Sequence, residues 1–458
     1  LQIDSANGSI SIDRSRLTIN PIHLSHGNGH ADALVQLDFV RPQIITASLE
    51  ATDWPVDVAA AHANISALTD PLMIDTQAQT VRGKLTFNSA IDYQSRSLAK
   101  AAGTISLAGQ TATLQQFAAE AMDGIITGTA TYTLNAPLAS RAQFIWTGIN
   151  LNTLSPYEER LKTAGGSFSG RAVLEPDSSA RALAPLLLTI DAKGLNTHLG
   201  PIDIGGIHLP IAVDADRAVI DNGQIDIADG TIQNIFGRVS RHDDDTLSAQ
   251  LDLTLHELDV DQLINEVEMS SASGDDKATT KNQKSAYPGR LNGDINLVGD
   301  PRYPFSLYGH ATLHLHDSDL GNFGPFAALY NTMHLGGGPA KPIGNGWVEA
   351  RYDNDQFIIS SLHYFNRGTY AYGLATVHDL RKYPKSSLEG TLAGTFRPLS
   401  EIKLPFFADA DQIFSVLQSN LTSIVLDGTI EKPKYTQQAA SELGSAMRRF
   451  LLGDATSK

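Results

Sequence analysis

Between Phe305 and His316 the chain alternates without a break. Phe305, Leu307, Gly309, Ala311, Leu313 and Leu315 hold one parity, and Ser306, Tyr308, His310, Thr312, His314 and His316 hold the other. A strand has a side-chain period of two, so this stretch predicts one strand with an apolar face and a polar face. The rest of the chain repeats the pattern. Val81, Gly83, Leu85 and Phe87 alternate with Arg82, Lys84 and Thr86. Ile126, Gly128, Ala130, Tyr132 and Leu134 alternate with Thr127, Thr129, Thr131 and Thr133. Residues 346–360 read as a hairpin turning at Asp353–Asp355. The predicted fold class is therefore all-β, mostly antiparallel, with a few short helices.

Those helices are expected near Asp53, Leu154, Val260 and Ser400 and in the tail. Asp53 is a candidate cap, with Pro55 in the first turn, for a helix reaching Ser66. Strand-then-short-helix segments begin near Asp53, Ile149, Leu258 and Phe396. Their spacing of roughly a hundred residues reads as four loose repeats, although any β-rich chain yields some such matches. Residues 270–286 carry no large apolar side chain and read as a mobile loop. In the tail, Ala440, Leu443, Met447, Phe450 and Leu451 fall at helical spacing. The expected parts are residues 1–135, an N-terminal β part; 136–269, a middle β repeat; 270–286, the loop; 287–435, a C-terminal β region; and 436–458, an amphipathic helix or tail.

Composition narrows the partners. A net charge of -16 over 458 residues argues against nucleic acid, which needs clustered Lys and Arg, and against broad docking on anionic headgroups. The absence of cysteine removes disulfides, thiol catalysis and Cys-ligated zinc, and it suits an envelope or secreted protein. The sequence starts at Leu1, already in a strand-like pattern, so a processed product or a fragment is expected. No apolar run approaches the ~20 residues that span a bilayer.

Catalytic chemistry is hard to find. His310, His314 and His316 share one strand face, but Ser318 and Asp319 break the metallohydrolase spacing, and solvated polar residues are the simpler reading. Gly336–Gly338 is followed by Pro339 and Ala340 instead of the Gly-Lys-Ser/Thr ending of a phosphate loop. Glu158–Glu159 and Asp243–Asp245 read as solvated turns, and no Gly-x-Ser-x-Gly elbow occurs. The expectation is a binding protein, not an enzyme, with no cofactor and no metal.

From about Leu251 to Tyr435 the chain resembles the AsmA family of bacterial envelope proteins. The resemblance is carried by YGHATLHLHDSDLGNFGPFAALYNTM, by VEARYDNDQFIISSLHYFNRGTYAYGLATVHDL and by the ending SIVLDGTIEKPKY. The Leu-Asp-x-x-x-Leu-like form at Leu258–Ile264 and Gly-x-Leu-x-Gly at Gly289–Gly293 add to it. The 270–286 insert has no counterpart in that pattern. The resemblance implies an elongated, twisted sheet curled into a groove in the periplasm, anchored to the inner membrane by an upstream helix absent from this sequence. It implies a role in conducting phospholipids between inner and outer membranes, or in supporting outer-membrane assembly.

The residue pattern suits such a role, because a half-apolar sheet must cover its apolar face with a second layer or with a ligand. Acyl chains need apolar area and no specific polar partner. The alternation gives the candidate lining residues: Leu85, Phe87, Ile126, Tyr132, Leu134, Phe305, Leu307, Leu313, Leu315, Leu392 and Phe396. A structural or adhesive β-sandwich would show the same alternation. A β-solenoid enzyme acting on polysaccharide is a third reading, but its short coil repeat and paired carboxylates are not visible.

Overall fold

The computed structural model describes residues 3–58, 61–93, 96–154, 164–177, 185–199, 202–214, 216–242, 244–263, 288–303, 306–320, 324–333, 344–366, 369–383, 385–396 and 422–438. They are nearly all antiparallel β-structure, as the alternation predicts. The chain divides into two compact units, Leu1–Leu199 with Gly205–Asp214, and Gly200–Ile204 with Ala215–Lys458.

The first unit contains β1 (Ser5–Ile12), β2 (Arg16–His26), β3 (Gly29–Asp38), β4 (Ile44–Val58), β5 (Ala61–Thr69), β6 (Leu72–Asp75) and β7 (Thr80–Tyr93). It continues with β8 (Arg96–Gly109), β9 (Thr111–Ala121), β10 (Gly124–Thr133), β11 (Arg141–Asn150), β12 (Ala164–Pro176), β13 (Leu186–Leu199) and most of β14 (Ile202–Val213). From β1 to β13 the strands form a meander in which sequence neighbours pair, except that β5 and β6 share the gap between β4 and β7.

The second unit is also a meander: β15 (Arg217–Ile227), β16 (Gly230–Arg241), β17 (Leu247–Asp259), β18 (Arg290–Gly299) and β19 (Tyr308–Ser318). After the helix α1 (Gly324–Thr332) come β20 (Gly344–Asp353), β21 (Gln356–Asn366), β22 (Thr369–His378), β23 (Ser387–Thr395), β24 (Thr422–Gly428) and β25 (Pro433–Gln438).

Local chemistry explains the turns. Met122–Asp123, Ala228–Asp229 and Asn354–Asp355 each place two consecutive residues at positive φ, the mark of the type I′ turn whose twist matches the flanking strands. The last of these is the hairpin expected at Asp353–Asp355. Isolated positive-φ residues fall at register shifts: Asp53, Gln116 and Asn196 in the first unit, and Asn222, Asn234, Glu257 and Asp317 in the second. These are β-bulges, which bend the strand that carries them and raise its twist.

The helix expected from Asp53 to Ser66 does not form. This segment is the end of β4 and most of β5, and Asp53 (φ 49) is a bulge whose N–H donates to Ser66 Oγ at 3.0 Å. Pro55 sits past the end of the β3–β4 ladder, at His30–Thr52, a partly unpaired position at which a strand tolerates proline. Near Leu154 there is one 3-10 turn, Leu151–Leu154. A helical turn does start at Val260, where Asp259 Oδ1 accepts the Gln262 N–H at 3.1 Å as an N-cap. The expected tail starts too early, since residues 436–438 are still strand, the end of β25; Ser400, residues 270–286 and the tail from 439 on lie outside the described residues.

Burial differs between the units. In the second, α1 and its flanks place Leu320, Phe326, Leu329 and Met333 over Tyr364, Ala371, Leu392, Ile424 and Leu426 of β21–β24, a closed core. In the first, the buried apolar residues are Ala31, Ala101, Ala119, Ala121, Ala164, Ala212 and Trp54, with no large aliphatic side chain among the described residues. A sandwich core would bury Leu, Ile, Val and Phe from two facing layers.

Candidate functional site

The register shows what the apolar parity builds. In the first unit Leu85 lies opposite Ile105, Ile105 opposite Leu114, Leu114 opposite Ala130, and Ala130 opposite Ala142. Directly paired residues share a face, so this is one apolar row across β7–β11. A second row runs Ala101, Ala119, Ile126, Trp146 and Gly170. Leu85, Phe87, Ile105, Leu114, Ile126 and Trp146 are all half-buried, while Arg82, Lys84, Thr127 and Thr129 on the opposite parity are exposed.

Rings lie over glycines on this apolar face. Phe87 pairs with Gly103, where an added Cβ would meet the ring at 3.0 Å. Gly128 lies between Phe117 and Phe144, whose rings meet edge-on across it at 5.7 Å. Trp146 covers Gly170, where an added Cβ would meet the indole at 2.7 Å. Each ring fills the space a side chain would take, so the rings pave the sheet.

In the second unit one row runs Leu255, Gly293, Leu313, Val348, Leu362, Gly373, Leu392 and Ile424, across β17–β24. Its far end, Leu392 and Ile424, is 3% and 1% exposed beneath α1. Leu313 and Val348, nearer the middle, are half-buried.

The residues predicted from sequence therefore scatter. Leu85, Phe87 and Ile126 lie on the apolar face of the first unit, and Leu307, Leu313 and Leu315 are half-buried in the second. Leu392 belongs to the closed core instead of an open face. Tyr132 and Leu134 keep the parity of Ile126 but stand at the end of β10, 47% and 63% exposed. Phe396 follows the last residue of β23 and is 58% exposed. Phe305 lies outside the described residues. The alternation missed Ile105, Leu114, Phe117, Phe144 and Trp146, which only the cross-strand register joins to the set.

The polar face of the second unit carries a separate feature. His314, Trp347, His363 and Tyr372 are successive partners across β19–β22. His363 lies 4.9 Å from Trp347 and 5.1 Å, edge-on, from Tyr372, and burial holds its pKa below the ordinary value. No group of three His, Cys, Asp or Glu is placed to hold a metal among the described residues. No described helix is long and apolar enough to cross a membrane. No family model, curated protein or solved structure matches the chain.

Proposed function

We propose that this protein binds phospholipid acyl chains on its apolar sheet face and conducts lipid between the inner and outer membranes of a bacterial envelope, the role its resemblance to the AsmA family implies. That role belongs to the periplasm, with the protein held at the inner membrane. One observation carries the reading: on the paved apolar face of the first unit the large side chains Leu85, Phe87, Ile105, Leu114, Ile126 and Trp146 are only half-buried, and within that unit the strands pack mainly against their neighbours in the sheet. Burying one methylene contributes ~0.8 kcal/mol, so a dozen or more hold a lipid without any polar contact. The same face needs no catalytic group, which fits a binding protein.

The test is mass spectrometry of protein purified from a bacterial host, released by denaturation, for wild type and Leu85→Asp. Phospholipid is expected in the wild type, and less of it in the variant at nearly unchanged stability. An unloaded wild type combined with an unfolded variant would reverse the reading and favour a closed sandwich, because a charge buried in packed protein costs several kcal/mol.

A further inference from the structure

We infer that the polar face of the second unit holds a saccharide-binding trough, independent of the lipid reading. Two rows of side chains cross β19–β22 on this face. One is His314, Trp347, His363 and Tyr372; the other includes Asn345, Phe365 and Tyr370, successive partners on β20–β22. Residues two apart on a strand stand about 7 Å apart, so the rows form parallel walls. Between them lies a cavity of about 360 Å³, floored by the chain at Leu315, Gly346, Tyr364 and Ala371. The Tyr364 side chain points to the opposite face, into the core beneath α1.

The lining chemistry selects the ligand. Phe365 and Tyr370 stack at 4.6 Å and a 31° tilt, giving one wall a nearly continuous ring surface. None of the lining residues is Asp, Glu, Lys or Arg, so the trough suits a neutral ligand. An acyl chain has no use for the imidazoles, carboxamide and phenols along the walls. Strands β19–β22 are paired on both sides, so no peptide can add here as a strand. A proline-rich peptide offers mainly carbonyl acceptors, whereas the phenols and the carboxamide along the walls both donate and accept. A pyranose matches all of this, with a C–H face for the rings and a rim of hydroxyls that donate and accept. Asn345 is held for such contacts, since its Oδ1 accepts the Asp317 N–H at 3.1 Å and so fixes the carboxamide.

The test is calorimetric titration of the whole chain with neutral tetrasaccharides of β-1,4-linked N-acetylglucosamine, β-1,4-linked glucose and α-1,4-linked glucose, followed also by tryptophan emission. Saturable heat with at least one of them is expected, together with an emission change that Trp347→Phe abolishes while Trp54 and Trp146 remain. Phe365→Ala removes a ring that is 42% exposed and so spares the fold. It should weaken binding by about tenfold or more, and Tyr372→Phe by less. Delipidated and lipid-loaded protein should bind the saccharide equally, which keeps this outcome separate from the lipid reading. No heat with any tetrasaccharide up to about 10 mM would overturn the inference. So would saturable binding of a proline-rich peptide or an alkyl detergent that Phe365→Ala abolishes.

Discussion

At the scale of single residues, the apolar face depends on glycine as much as on aromatic side chains. Gly128 leaves room for the Phe144 ring, and a methyl there would also press on the Gln143 carbonyl at 2.7 Å. Gly128→Ala is expected to destabilise by about 1–3 kcal/mol through overpacking, read as a lower urea midpoint with an unchanged slope. Tyr364 makes a different contribution: its buried hydroxyl donates to the Ser318 carbonyl at 2.7 Å. Tyr364→Phe removes this buried bond and should cost about 1–3 kcal/mol. Asp191 brings pH dependence, because His208 Nδ1 at 2.6 Å and Arg171 Nε at 3.0 Å hold its pKa below the ordinary carboxylate value. A depressed pKa contributes stability that is complete above the unfolded value of about 3.9 and is lost as pH falls through the folded one. Asp191→Asn should therefore lower the urea midpoint near pH 6, and the gap to wild type should shrink as pH falls below the ordinary carboxylate value. The parity of Leu85 and Phe87 was legible from sequence alone. Which glycine each ring covers was not, because that depends on register across strands.

At the scale of elements, alternation is plain in the sequence and its interruptions are less so. The Asn354–Asp355 turn carried its own signal, since Asn and Asp tolerate positive φ. The Asp53–Ser66 stretch misled because an Asp followed closely by a proline marks a helix start and a bulge equally well. The helix α1 was missed although Pro325 stands in its first turn and Phe326, Leu329 and Met333 have helical spacing. Its importance is tertiary: it closes the only large-residue core cluster among the described residues. Leu329 is fully buried there, so Leu329→Ala should cost about 2–5 kcal/mol. Amide exchange should quicken in β21–β24 and stay unchanged in β7–β11, which belong to the other unit.

At the scale of the whole molecule, charge and apolar area point to different physics, and this separates two ways of holding a lipid. A net charge of -16 gives no broad attraction to anionic headgroups. If binding resides in the paved face, its free energy should follow acyl length and ignore the headgroup. Each pair of methylenes added to a short-chain phospholipid contributes about 1.6 kcal/mol while it still finds apolar surface, which is roughly a tenfold gain in affinity. The gain should stop once the chain outgrows the surface, and the length at which it stops measures the usable face. Raising salt from about 0.05 to 0.5 M shortens the Debye length severalfold and should leave these affinities nearly unchanged. Titrating delipidated protein with zwitterionic and anionic phospholipids of increasing chain length, at both salts, reads all of this at once. A flat response to length with a steep fall in salt would place the interaction on the charged surface, and acyl burial would no longer explain binding.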